Sequence, residues 1–76
     1  MEINEFIKNF GDQFDDTDIS LFTPNTEFRK LDEWSSLMAL SIIAMIDEEY
    51  DITLKGDDMQ KSITINDLYN TVKTKI

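Results

Sequence analysis

The sequence contains no cysteine and no histidine, and among its 76 residues there are one proline and two glycines. Without cysteine the chain has no disulfide framework, and nothing in it points to an oxidising compartment. The chain also lacks the usual general base, the usual nucleophilic thiol and the soft ligands of metal sites. We therefore expect a protein that is not an enzyme and that has no metal site.

Positive charge is also scarce. Seven Lys and Arg residues against sixteen Asp and Glu give a net charge of −9. Such a surface repels the phosphates of nucleic acids and of anionic membranes, so we expect neither as a partner and expect basic protein surfaces instead. There is no signal peptide and no run of about 18 apolar residues, which favours a cytoplasmic location.

The length predicts one domain spanning residues 1–76, and we expect it to be a monomer. A domain this small buries only about 60% of the surface of its unfolded chain, so a large catalytic cleft does not fit in it.

Two amphipathic helices are predicted at the ends of the chain from apolar residues that recur at helical spacing. In the first helix, which we expect to end beyond Phe14, the apolar residues are Ile3, Phe6, Ile7, Phe10 and Phe14. In the last helix, which Thr64 caps with Asp67 three residues on, they are Ile65, Leu68, Tyr69, Val72 and Ile76.

A central helix is predicted over residues 36–50, the longest apolar segment without Gly or Pro, with Ser35 as its N-cap. Its buried face is predicted to carry Ala39, Ile42, Ile43, Ile46 and Tyr50. The opposite face carries the apolar residues Leu37, Leu40 and Ala44, followed by Asp47 and Glu48. Acidic residues at a helix C-terminus oppose the helix dipole, and a broken local rule of this kind points to a functional surface.

The connections complete an all-α fold. Residues 15–33 show no helical period, but their scattered apolar residues predict an ordered loop that delivers Trp34 to the core. Ile52 and Leu54 are expected in an apolar loop, and Asp57 or Asp58 is expected to cap a short third helix. The prediction is a small four-helix bundle of three longer amphipathic helices and one short helix, with a long ordered loop between helices 1 and 2.

This pattern resembles the acyl carrier proteins and the related peptidyl carrier domains over nearly the whole chain. The resemblance is strongest in LDEWSSL at residues 31–37 and in IDEEYDI at residues 46–52. In that family an Asp-Ser-Leu motif opens the second helix, and its serine receives phosphopantetheine from coenzyme A. Ser36 and Leu37 match the last two positions, whereas Ser35 stands in place of the aspartate and cannot supply a carboxylate to a Mg²⁺ ion.

The resemblance implies a carrier in lipid or secondary-metabolite biosynthesis that holds an acyl or aminoacyl group as a thioester on a phosphopantetheine arm at Ser36. It implies two kinds of partner: a phosphopantetheinyl transferase, and enzymes that load or transfer the acyl group. Their basic patches would dock on Leu37, Leu40, Ala44, Asp47 and Glu48.

Two alternatives remain at this stage. The chain could be an unmodified adaptor that keeps the carrier fold and the docking helix. Acidic residues from Asp16 to Glu27 also fit the spacing of an EF-hand calcium loop, but Leu21 stands where that loop requires Gly and Pro24 interrupts it.

Overall fold

The helices follow one another in the order that the sequence predicts. The computed structural model describes residues 2–76, with helices α1 (Ile3–Gly11), α2 (Ser36–Tyr50), α3 (Gly56–Lys61) and α4 (Ile65–Thr74). Two single 3₁₀ turns, Ile19–Leu21 and Phe28–Lys30, lie in the long loop between α1 and α2. Within residues 2–76 the only β pairing is an isolated antiparallel bridge between Glu27 and Thr64. The predicted all-α bundle of three longer helices and one short helix is confirmed.

Helix α1 ends earlier than the sequence pattern predicts, at Gly11 instead of beyond Phe14. After Gly11 the hydrogen bonds change to the i→i−3 type, from the N–H of Gln13 to Phe10 O and from the N–H of Phe14 to Gly11 O. The tighter turn still buries Phe14, because a ring three or four residues beyond Phe10 stays on the same side of the chain. Apolar spacing alone could not distinguish this turn from a further helical turn.

An aromatic cluster forms one end of the core and anchors the long loop. Phe28 and Trp34 have ring centroids 4.9 Å apart, and those of Phe14 and Phe22 are 5.0 Å apart. Trp34 also lies parallel to Phe10, with centroids 6.5 Å apart and an interplanar angle of 4°. Trp34 is half-buried against the core, so the predicted ordered loop and its tryptophan plug are both confirmed.

Polar contacts close the same loop and join it to the start of α4. The Glu33 carboxylate accepts hydrogen bonds from the backbone N–H groups of Asp15 (3.3 Å) and Asp16 (2.8 Å) and from the Thr17 hydroxyl. Farther along, the Ile65 N–H donates to Thr26 O at 3.0 Å, which joins the loop to the start of α4. Specific bonds therefore join the start of the loop to its end and hold its middle against α4.

The segment considered as a calcium loop folds differently from an EF-hand. The Asp18 carboxylate accepts from the Ser20 N–H at 2.9 Å and caps the 3₁₀ turn Ile19–Leu21. Residues 2–76 hold no cluster of three acidic side chains placed to bind a metal ion.

The second half of the chain needs two corrections. Helix α3 begins at Gly56, and its N-cap residue is Lys55, so the prediction that Asp57 or Asp58 caps the helix is wrong. Asp58 lies at the third helical position, where its carboxylate accepts a hydrogen bond from the Lys55 N–H at 3.1 Å. Helix α4 ends at Thr74, so Ile76 lies beyond it and is 75% exposed, contrary to its predicted place in the core.

Other predictions for the second half are confirmed. Thr64 and Asp67 exchange hydrogen bonds of 3.1 Å as a capping box, and Ile52 and Leu54 are buried in a loop. In the part of the chain that the structure describes, no helix has the length and apolar character needed to cross a bilayer.

The Glu33 contacts predict a pH-dependent stability. Hydrogen bonding, first from the Thr17 hydroxyl, lowers the pKa of Glu33 from its ordinary value of 4.5. A carboxyl whose pKa is lower in the folded state stabilises the fold above pH 4.5, and this contribution is lost as the pH falls through the folded-state value. We therefore expect Glu33→Gln to lower the thermal midpoint near pH 7 and to change it much less at acidic pH.

Thermal melts from neutral to acidic pH, followed by circular dichroism, test this expectation. Asp32→Asn is the matched control, since it removes one charge from the adjacent exposed residue. If Glu33→Gln lowered the midpoint by the same amount at every pH, its carboxylate would not be the stabilising group.

The C-terminus of α2 predicts a stabilising substitution. Asp51 adopts the left-handed conformation, with φ 56° and ψ 41°, directly after the helix. Only glycine enters this region without a steric cost, so we expect Asp51→Gly to raise the free energy of unfolding by about 0.5–1 kcal/mol. Asp51→Asn removes the same charge and keeps the side chain, so chemical denaturation should show a smaller gain for it. Equal gains would assign the effect to charge alone.

Candidate functional site

Two adjacent serines open α2 and have different environments. Ser35 has extended backbone angles, and its hydroxyl accepts a hydrogen bond from the Met38 N–H at 3.1 Å, so the predicted N-cap is confirmed. Ser36 is the first residue of the helix and is exposed. Within residues 2–76 the Ser36 hydroxyl takes part in no hydrogen bond, which leaves it free to react.

The first turn of α2 favours an anion beside Ser36. The aligned peptide dipoles place a partial positive charge at the helix N-terminus, where backbone N–H groups have no partner inside the helix. The first turn contains no acidic side chain that would compete for these N–H groups. A phosphate ester on the Ser36 hydroxyl would therefore lie in a favourable field.

An open groove of about 520 Å³ lies next to Ser36, within the size range of small-ligand sites. One wall is α2, another is α3, and the loop before α2 closes the end. The lining residues are Arg29, Trp34, Ser35, Ser36, Ala39, Leu40, Ile43, Gly56, Met59 and Gln60. Its lining is largely apolar, and Ser36 is among the residues that form it.

The outer face of α2 carries the predicted strip of apolar and acidic residues. Leu37 is 74% exposed and Leu40 is 62% exposed, values that are high for leucines. Ala44, Asp47 and Glu48 are exposed as well, and the last turn of the helix contains no basic residue. We call these five residues, Leu37, Leu40, Ala44, Asp47 and Glu48, the α2 strip. All five residues lie on α2, the helix whose first residue is Ser36.

Sequence reasoning missed two features of this region. Met45 is 6% exposed and belongs to the core, although it was absent from the predicted buried face of α2. Arg29 lines the groove because the 3₁₀ turn Phe28–Lys30 places it beside α3, where its guanidinium donates to Met59 O. The one available signal for Arg29 was its position next to a buried aromatic residue in a loop that was expected to be ordered.

Comparison with known families matches residues 7–72 to the family described as the phosphopantetheine attachment site. Comparison with curated proteins and with solved structures gave no significant match. The family match spans α1 to α4 and so includes the paired serines, the groove and the α2 strip. The chain therefore belongs to the phosphopantetheine-binding carrier family of the acyl carrier proteins, whose members hold this prosthetic group covalently.

Proposed function

We propose that the protein is an acyl carrier whose Ser36 hydroxyl holds the phosphopantetheine arm. The observation that supports this most directly is the contrast between the two serines. The Ser35 hydroxyl is used by the helix cap, whereas the Ser36 hydroxyl is exposed and unbonded at the helix start. One serine stabilises the helix and the other is available for modification.

The residues around Ser36 fit the group. The N–H groups of the first turn of α2 suit a phosphate, and the groove offers apolar surface to an arm that leaves the hydroxyl. Phosphopantetheine supplies a thiol, on which an acyl or aminoacyl group is held as a thioester. The chain has no cysteine of its own for this purpose.

Attachment would proceed by attack of the Ser36 hydroxyl oxygen on a phosphorus of coenzyme A. The bond between that oxygen and phosphorus forms, and the bond to the nucleotide phosphate breaks with loss of adenosine 3′,5′-bisphosphate. The hydroxyl proton passes to a base of the transferase, because the chain has no histidine and the first turn of α2 has no acidic side chain. Ser35 contributes by fixing the first turn, so that the Ser36 backbone holds one position.

The α2 strip is the proposed docking surface for the transferase and for enzymes that load or remove the acyl group. Leu37 and Leu40 offer apolar contact close to the attachment site, and Asp47 and Glu48 attract basic patches from the other end of the helix. Exposed ion pairs contribute only about 0.2–1 kcal/mol each, so docking of this kind is weak and reversible. A carrier that visits several enzymes in turn needs this reversibility.

Intact-mass measurement tests the attachment site. Incubation with coenzyme A and a broad-specificity transferase should add the mass of one phosphopantetheine to the wild-type protein, and Ser36→Ala should abolish this gain. Ser35→Ala should retain at least part of it while losing about 0.5–2 kcal/mol of stability, because that variant removes the cap. Ser35→Asp should be modified faster, since it restores a carboxylate beside the site.

If neither a broad-specificity transferase nor the cognate transferase adds mass to the folded wild-type protein, Ser36 is not an attachment site. The chain would then be an unmodified adaptor domain with the carrier fold. Circular dichroism of each variant distinguishes a loss of modification caused by the missing hydroxyl from a loss caused by a failure to fold.

Charge reversal tests the docking surface. Asp47→Lys with Glu48→Lys should weaken binding of the modifying transferase roughly tenfold at low salt and by less at high salt. The fold should be retained or slightly stabilised, since cations suit the C-terminal end of a helix. Asp16→Lys with Asp57→Lys changes the net charge equally at exposed positions outside α2 and should leave binding much closer to wild type. Equal weakening by both pairs would show that net charge, and not the α2 strip, governs binding.

A further inference from the structure

One charged side chain lies in the groove beside Ser36. Among the residues that line the groove within the described chain, Arg29 is the only one with an ionisable side chain. The protein as a whole carries a net charge of −9, so a groove with a cation and no carboxylate in its lining differs from the rest of its surface. The attached group would bring an anion to this groove.

Arg29 is fixed in place without using most of its hydrogen-bonding capacity. Its Nη2 donates to Met59 O in α3, and its guanidinium lies 5.3 Å from the centroid of the Phe28 ring. A guanidinium has five N–H donors in a planar fork. No other hydrogen bond and no ion pair of Arg29 occurs within residues 2–76, whereas its neighbour Lys30 pairs with Glu27 at 3.3 Å.

We propose that Arg29 binds the phosphate of the group attached to Ser36. This inference rests on the proposed function, because it requires that Ser36 be modified. The ligand class is a phosphodiester, which carries one negative charge and presents two oxygens that match the guanidinium fork. The helix N-terminus favours a phosphate on Ser36, and Arg29, which is bonded to α3 through Met59 O, lines the same groove.

Binding of the phosphate by Arg29 would fix the position at which the phosphopantetheine arm begins. A phosphate held by Arg29 directs the chain that follows into the groove, along Ile43 and Met59. Arg29 connects two neighbouring elements. Its side chain is hydrogen-bonded to α3, and its backbone belongs to the loop that ends at the N-cap of α2. The anion could also be a carboxylate on the cargo, and a protein modified without cargo separates the two sources.

The experiment compares wild type, Arg29→Gln, Arg29→Lys and the control Lys30→Gln, each in the unmodified form and in the cargo-free modified form. Lys30 is the matched control because it is the adjacent exposed cation and does not line the groove. Intact mass first establishes that every variant is modified. The ³¹P chemical shift of the phosphodiester and the thermal midpoint are then measured at low and at high salt.

At low salt we expect the ³¹P shift of Arg29→Gln to differ from that of wild type, and we expect the difference to vanish at high salt. Modification should lower the midpoint of Arg29→Gln relative to its effect on wild type, because one negative charge is added without its partner. Lys30→Gln should follow wild type in both measurements. Arg29→Lys should give intermediate values, since it keeps the charge and loses the fork.

The wild-type chain alone supplies an independent readout if Arg29→Gln fails to fold. The side-chain Nε–H resonance of Arg29 should move when the protein is modified. If all variants are modified and neither the ³¹P shift nor this resonance responds, the role of Arg29 is overturned while Ser36 remains the attachment site. A response seen only with a carboxylated cargo would overturn the phosphate assignment, and a failure of modification itself would overturn the proposed function.

Discussion

The packing of aromatic rings beneath the long loop fixes the position at which α2 begins. Phe28 and Trp34 are in contact, and both pack on Phe10 from α1. Burial of large rings is the main source of stabilisation available to so small a core. Because Trp34 directly precedes Ser35 and Ser36, the same contacts that hold the loop also fix the start of α2.

Helix α2 has two faces of different composition. Its inner face buries Ile42, Met45 and Ile46, and its outer face leaves Leu37 and Leu40 in water. The acidic residues of its last turn oppose the helix dipole, which costs about 0.3–1 kcal/mol for each exposed charge. The contacts of the inner face offset this cost, so the outer face can keep a composition that does not stabilise the helix and that fits the proposed docking.

The sequence is informative where local rules act and uninformative where distant segments meet. The capping roles of Ser35 and Thr64, the order of the helices and the exposure of the α2 strip follow from periodicity and from side-chain chemistry within a few residues. The last residue of α1, Gly11, packs closely on a distant segment, since a Cβ atom there would lie 3.1 Å from the Phe22 ring, and no local pattern shows that contact.

The groove could not be predicted for the same reason. Its cation, Arg29, comes from the loop, while the carbonyl that holds it comes from Met59 in α3, thirty residues later. The residues before α3 likewise combine a local and a distant contact: the Asp58 carboxylate accepts from the Lys55 N–H at 3.1 Å, while Ile52 and Leu54 are buried in the core. Such pairings exist only once the chain has folded.

The position of the single tryptophan has a spectroscopic consequence. Trp34 is the only indole in the protein, and it lines the same groove as Ser36 and Arg29 while its other side rests on the aromatic cluster. All tryptophan fluorescence therefore originates at the boundary between the core and the site. Its emission maximum and its accessibility to quenchers report directly on the polarity of the groove, so the protein carries an intrinsic optical probe beside the proposed attachment site.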